Sequence, residues 1–537
     1  MLNITSNFFH TFLILLMEIE NYIIDKIKRM QYEYAIIGGG IAGLYASYKL
    51  NNSDSKGLFE STYRFGGRMI TEHYNSFRME YGPSHFLTDK HHNLMELIQT
   101  LGMRTSLDRK ALKASDGDVP PQKTYSILDT KLITEDERLM YEDYMEKGKD
   151  PVLGLLKLAL SNILGHQWDF KVSLTSDERD KQMELLKKVG RYNDRPLWEY
   201  GFWDLICSVM SPHALEYIKS HKPFYHMIEY NLNALCHICY LLTIIPSTES
   251  NTLGHVCEGM EHIIKRLLAS IEKHTHLHPS HRLISFIDSG DRYKLTFLTP
   301  ANKSVIVHAK HVLFCCNLYG IRQIKGFPQH ISGCFEKVVE IALFKVFVII
   351  KNPPWKGNDD TIKYYNKDNV PCREIHYTYD RNTDVGEMMI YGGAPSINYW
   401  KYYCKNQTMQ IDPEINNNKA LLSQIEMILN RLFPDTDKFD IVHYSIKDWS
   451  SAPYPAGVHF WKPNVNVVEV LESLHKFDVR GHAYEGRSLH ICGEAFSFAQ
   501  GYIESALTSV NEALSTLTGV SQPTTKRYSR WRMCCQN

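Results

Sequence analysis

The spacing of apolar residues along the chain changes several times, and each change marks an element. Tyr34 to Ile37 is an unbroken apolar run that suits a buried strand, three glycines follow, and "IAGLYASYKL" resumes at helical spacing. "HVLFCCN", "KVFVII" and "LHICG" read as further buried strands, whereas "RPLWEYGFWDLICSVMSPHALEYIKS" and its neighbours carry long helix-period patterns. Strand and glycine signals gather in three stretches, 31–110, 252–335 and 466–518, which predicts one domain built from three pieces. Threaded through it are a helical part, 111–251, and a sheet part, 336–465, where strands alternate with Pro-, Asn- and Gly-rich turns. The expected fold is α/β, with an α+β second domain of helices and a mixed sheet.

The two ends read differently. In the extension 1–30, Phe12, Leu16, Ile19, Ile23 and Ile27 fall at helical spacing, which suits an amphipathic helix. The apolar run Phe8 to Met17 is far shorter than the ~20 residues a membrane span needs, and no clear secretory pattern accompanies it. Membrane association is therefore not expected. Residues 519–537 are polar and basic and read as a flexible tail.

Composition narrows the partners. The chain has 537 residues, 44% hydrophobic, enough for more than one core. Lys+Arg and Asp+Glu both number 60, so no charge excess points to nucleic acid. Twelve scattered cysteines lack the spacing of a disulfide framework and read as reduced thiols, which suits a cytoplasmic protein. Cys236 and Cys239 form C-x-x-C, but in an apolar context that suits a buried helix better than a metal or redox pair. His274, His276 and His278 would share one strand face without an evident fourth ligand, so no metal site is expected.

The chemistry begins at the glycines. Gly38, Gly40 and Gly43 make G-x-G-x-x-G between a strand and a helix, a turn whose backbone amides can approach a pyrophosphate at the positive helix end. Glu60 closes the next strand, "KGLFES", where a carboxylate can accept bonds from ribose hydroxyls. A second glycine turn, Gly66-Gly67-Arg68, follows in "FESTYRFGGRM". Near the other end, "LHICGEAFSFAQGYIESAL" carries Gly493-Glu494 and then Gly501-Tyr502 opening a helix.

These three motifs, in this order, resemble the FAD-dependent amine oxidases: monoamine, polyamine and L-amino-acid oxidases and their relatives. The resemblance runs from about residue 31 to 518 and implies a Rossmann-like FAD-binding domain. It implies cofactor contacts at Gly38, Gly40, Ala42, Gly43, Glu60, Gly66, Gly67, Arg68, Gly82, Ser84, Gly493, Glu494 and Ile503. "EGMEHIIKRLLASI" looks like the family's Gly-Met helix, and "ALFKVFVIIKNPPW" like its lysine-bearing strand. In the family that lysine, here Lys345, holds a water against flavin N5 and assists the reaction with oxygen. The activity implied is hydride transfer from an amine α-carbon to N5, hydrolysis of the imine, and reoxidation by O2 to hydrogen peroxide.

The substrate side departs from the relatives. "WSSAPYPAGVHF" matches the segment in which monoamine oxidases carry a flavin-bonded cysteine and a cage tyrosine, but Val458 and His459 stand at those places. Valine cannot form a thioether, so the FAD is expected to be noncovalent. The other cage aromatic is retained as Tyr502, with Lys345 and His459 as its catalytic companions and Tyr454 as a substrate contact. "YGPSHF" resembles the L-amino-acid oxidases, except that His85 replaces their carboxylate-binding arginine. An imidazole cannot reproduce the two parallel bonds of a guanidinium, which favours a small-molecule amine, with O2 as second substrate, over a free amino acid. An L-amino-acid oxidase, a desaturase or protoporphyrinogen-type oxidase, and a catalytically impaired FAD-binding protein remain the alternatives.

Overall fold

The computed structural model describes residues 31–50, 55–88, 90–107, 126–128, 131–132, 151–165, 176–221, 228–244, 253–356, 362–365, 374–394, 396–403, 418–479 and 486–518. The extension 1–30 and the tail 519–537 lie outside them. One sheet has a parallel centre, in which Gln31–Ile37 lies between Lys56–Phe59 and the second half of Ser304–Phe314. His276–His278 flanks Lys56–Phe59, and Ser488–Ile491 flanks Ser304–Phe314. The first half of Ser304–Phe314 turns to an antiparallel meander with Tyr293–Leu298 and Arg282–Asp288.

The strands of this parallel centre are apolar throughout because both of their faces are covered. Ile36, Leu58 and Leu313 pack against helices Ile41–Lys49, Glu261–Ile271 and Ile503–Thr518. Ala35, Ile37, Phe59 and Phe314 instead face helices Gln329–Phe335 and Val467–His475. Helix Ile503–Thr518 forms because Ala506, Leu507, Val510, Ala513 and Leu514 make one continuous apolar stripe, and that stripe is buried against this core. Since these strands are parallel, their C-terminal ends share one edge, where α/β sheets bind ligands. The glycines at 38–40 and at 493 both follow strands there.

The second sheet is ordered Asp440–Trp449, Leu343–Lys351, Val385–Gly392, Glu374–Asp380, Ile362–Tyr365, then two short strands at 126–128 and 131–132. Its central pairs are antiparallel, so alternation gives it two unlike faces. Phe344, Val346 and Val348, with Ile390 and Ile375, pack on Leu421, Ile425 and Leu429 of helix Lys419–Leu432. The opposite face carries Lys345, which pairs with Tyr391, which in turn pairs with Glu374. Period-2 alternation thus sets a cation, a phenol and a carboxylate in one row.

A layer of helices completes the molecule: Pro151–Leu164, Ser176–Val189, Phe202–Val209, Pro212–His221 and Ala234–Ile244. Leu155, Leu160, Ile206, Ile238 and Leu241 share its core, and Tyr391 and Tyr502 pack against its edge. Cys236 and Cys239 lie in the last of these helices, where burial pushes the Cys239 thiol up to about 12. His278 stacks on Phe59 with ring centres 4.5 Å apart, and its neighbour Tyr32 contacts His276 as well. Among the described residues no helix is long and apolar enough to cross a membrane.

Candidate active site

The two N-terminal glycine turns are packed on one another. Gly66 N–H donates to the Gly39 carbonyl at 2.8 Å, and a Cβ on Gly67 would stand 3.4 Å from the Gly40 Cα. Gly43 allows helix Ile41–Lys49 to start close beneath the turn, because a Cβ there would lie 1.9 Å from the Gly38 carbonyl oxygen. Gly40 and Gly493 are the converse: no atom lies within 4 Å of where their Cβ would stand. Gly40 is the N-cap of its helix and, having no side chain, satisfies none of the first-turn N–H groups. This backbone-lined cleft fits the diphosphate of a dinucleotide.

Glu60 is buried at the end of its strand. Its Oε2 accepts the Gly39 N–H at 2.8 Å, while Oε1 accepts the Thr62 N–H at 2.8 Å and lies 2.7 Å from the Thr62 hydroxyl. The carboxylate therefore ties both loops together, and Oε2, with one donor, keeps the larger share of its accepting capacity. Gly39, which the spacing argument passed over, is packed on Phe65 and Glu60 and carries this bond.

Glu494 is the junction of the site. Its Oε2 meets Arg68 Nη2 at 2.8 Å and His459 Nδ1 at 2.7 Å. Its Oε1 accepts the backbone N–H of His459 and of Gly501, each at 3.0 Å. Arg68 also donates to the Gly457 carbonyl at 2.6 Å. Burial alone would raise the Glu494 pKa, but His459 and Arg68 outweigh it and hold the carboxyl at about 2. All four accepting positions meet protein donors, so the carboxylate ties Arg68, His459 and the Gly501 backbone together.

The polar row of the second sheet faces the segment that follows strand Phe77–Glu80. Lys345 Nζ donates to the carbonyls of Glu80 and Gly82, both at 2.7 Å, and sits 5.7 Å from the centre of the Tyr391 ring. Burial lowers its pKa to about 8, against the opposing pull of Glu80, Glu374 and Glu387. Gly82 is required by close approach, since a Cβ would stand 2.0 Å from the Arg68 carbonyl oxygen. Tyr502 stacks on Tyr240, with centroids 6.1 Å apart and planes 17° apart, and donates to its hydroxyl at 3.2 Å. Glu374 acts electrostatically on Tyr240, Tyr391, His85 and Lys345, and lies 2.6 Å from His376 Nε2. Burial, then the positive potential of His255 and Lys345, lowers His85 to about 4, so its ring is neutral at pH 7.

Lys345, Tyr502, His85, Tyr240, Tyr391 and Glu374 thus form one cluster of aromatic and charged groups, linked by strand pairing, ring contact, a hydrogen bond and electrostatic interaction. Alternation along "EIHYTYD" and "EMMIY" holds the signal for Glu374 and Tyr391, but only strand register places them beside Lys345. Ser84 bonds to His85 Nδ1 at 3.1 Å and, through its carbonyl, to His255 at 2.9 Å. Ala42 and Ile503 bury their side chains in the apolar core, so only their backbone could meet a cofactor. Val458 begins strand Val458–Trp461 opposite Ile341.

Tyr454 packs on Trp449, and burial together with Glu60 pushes its phenol above the usual range while Arg64 and Thr62 act against that. Its charged and polar neighbours, Glu60, Thr62, Arg64 and Arg68, are those of the Glu60 turn. His459 is buried, with Nδ1 on Glu494 and Nε2 without a hydrogen-bond partner.

The family model for flavin-containing amine oxidoreductases matches residues 41–513, and the chain belongs to that family. It is an oxidoreductase of the flavoprotein class. It is 20% identical to aplysianin-A of Aplysia kurodai over 88% of each chain. To an L-amino-acid oxidase of Demansia vestigiata it is 22% identical, over 91% of this chain and 87% of that one. Among solved structures, putrescine oxidase bound to putrescine shares the fold with a TM-score of 0.61 at 13% identity, covering 91% of this chain and 99% of the other.

Proposed function

We propose that the chain is an FAD-dependent oxidase of amines that lack an α-carboxylate, with the FAD held noncovalently. The observation that carries this reading is the row Lys345–Tyr391–Glu374 clustered with Tyr240 and Tyr502. It is supported by a neutral His85 at the position where the resemblance puts a carboxylate-binding arginine. Gly38 to Gly40, Glu60, Gly66 to Arg68 and the Gly493 turn would hold the dinucleotide, and Val458 leaves no thiol for a thioether. Bound there, FAD supplies the two-electron acceptor for the amine's α-carbon hydrogen and the donor for O2.

The chain's own residues do the rest. The phenol rings of Tyr240, Tyr391 and Tyr502 form walls that exclude water and orient an amine. Glu374 attracts the positive charge of an incoming ammonium and repels a carboxylate. Lys345 keeps a positive charge where oxygen gains an electron.

The L-amino-acid oxidase relative and the putrescine oxidase bearing putrescine represent the two substrate classes to be separated. Amino acids and their decarboxylated amines, matched in side chain, should differ by at least about tenfold in kcat/KM in favour of the amine, because a charge-assisted bidentate contact is missing for the carboxylate. A higher value for the amino acid sinks the reading. Heat precipitation should leave yellow FAD in the supernatant; flavin retained in the washed pellet would show a covalent link.

A further inference from the structure

We propose that Glu374 and His376 form the proton exit of the pocket, taking the proton from the bound ammonium and passing it to water. The proposal rests on the amine reading above. It starts from a requirement of that chemistry: an aliphatic amine enters as an ammonium, whose nitrogen has no lone pair, and the bond to one proton must break before the α-carbon can be oxidised. A pocket that excludes water has to provide an acceptor within it and a route outward.

The Glu374–His376 pair has both properties. Glu374 lies in the pocket row, in register with Tyr391 and two strands from Lys345, and its side chain is 5% exposed. His376, two residues on and therefore on the same strand face, has a side chain 31% exposed, with Nε2 2.6 Å from Glu374 Oε1. A buried carboxylate is thus joined by one short hydrogen bond to a water-accessible imidazole. Among the described residues, the groups on which Glu374 acts electrostatically are placed differently. Lys345 is fixed to the Glu80 and Gly82 carbonyls, His85 sits behind Ser84, and Tyr240 and Tyr391 are phenols whose ionisation burial opposes.

The step balances without any further reactant. The ammonium N–H bond breaks and an O–H bond forms on Glu374, leaving a neutral amine with a free pair. The proton crosses to His376 Nε2, restoring the carboxylate and making an imidazolium. That imidazolium releases its Nδ1 proton to water, and exchange of ring protons with water resets the tautomer. No electrons move in this relay.

His376→Gln tests it, because glutamine can keep a hydrogen bond to Glu374 but cannot carry a proton. The measurement is the rate of anaerobic flavin bleaching by a preferred amine as a function of pH. In the variant the rate at pH 7 should fall about tenfold, the rising limb should move at least one pH unit upward toward the amine's own titration, and added imidazole should restore part of the loss. Glu374→Gln should show the same shifted limb without imidazole rescue. Superimposable pH profiles for parent and His376→Gln overturn the proton exit while leaving the oxidase reading intact. If no amine bleaches the parent's flavin, both fall together.

Discussion

Lys345→Met should slow the return of flavin colour in air by roughly 100-fold, the magnitude typical of losing one preorganised charge at a developing anion. Anaerobic bleaching by amine should change by less than about threefold. The asymmetry follows from where charge appears: oxygen becomes negative as it accepts an electron, whereas removing hydride from a neutral amine builds no anion beside Nζ. Double-mixing stopped-flow separates the two half-reactions, and equal reoxidation rates in variant and parent would leave Lys345 as an anchor alone.

The anchor role is real and separately measurable. Nζ satisfies the Glu80 and Gly82 carbonyls, and methionine would orphan both. Each buried acceptor left without a donor costs about 1–3 kcal/mol, so the variant should also melt earlier. A purely structural lysine would lower Tm without moving the oxygen step. The pH dependence adds a signature. With its pKa lowered to about 8 by burial, Lys345 is charged below that pH and neutral above it. Reoxidation in the parent should therefore slow as pH rises through about 8, and the Met variant should lack this limb.

The parts of the site built from glycine were legible in the sequence because their constraint is local. A Cβ at Gly43 meets the Gly38 carbonyl five residues back, and such a requirement leaves a fixed spacing behind it. The pocket was not legible in the same way. Glu374 carries no motif, and it becomes meaningful only when strand Glu374–Asp380 is set beside Val385–Gly392 in the register that pairs it with Tyr391. Alternation says that Lys345, Tyr391 and Glu374 each share a face with their second neighbours; it cannot say that the three faces are one. A gap-free match likewise fixes a position in the chain but not its neighbours: Tyr454 lies beside Trp449, and His459 bonds through Nδ1 to a carboxylate 35 residues away.

That carboxylate sets the last expectation: Glu494→Gln should lower stability at neutral pH by roughly 3–5 kcal/mol, as removing one partner from a buried charged cluster does. Glutamine keeps the shape and one carbonyl, so the Gly501 and His459 N–H bonds survive. Its amide, however, would point donors at the Arg68 guanidinium and at the His459 ring, which are donors themselves. The charge contributes on its own account. Lowering the carboxyl from 4.5 to about 2 corresponds to about 3 kcal/mol of folded-state preference for the ionised form. The sign gives the pH window: the contribution is complete above about 4.5, where an unfolded carboxyl is already ionised, and is lost as pH falls through the folded value near 2. Urea unfolding of parent and variant should therefore differ equally at pH 7.5 and 5.5, with the charge-dependent part of the gap reduced to roughly half by pH 3 and lost only below about pH 2. Because Glu494 also fixes Arg68 beneath the Gly66–Gly67 turn, the variant should release FAD at lower urea than it unfolds. A gap that persists undiminished at pH 3 would assign the loss to packing, and unchanged stability at pH 7.5 would remove Glu494 as the junction of the cradle.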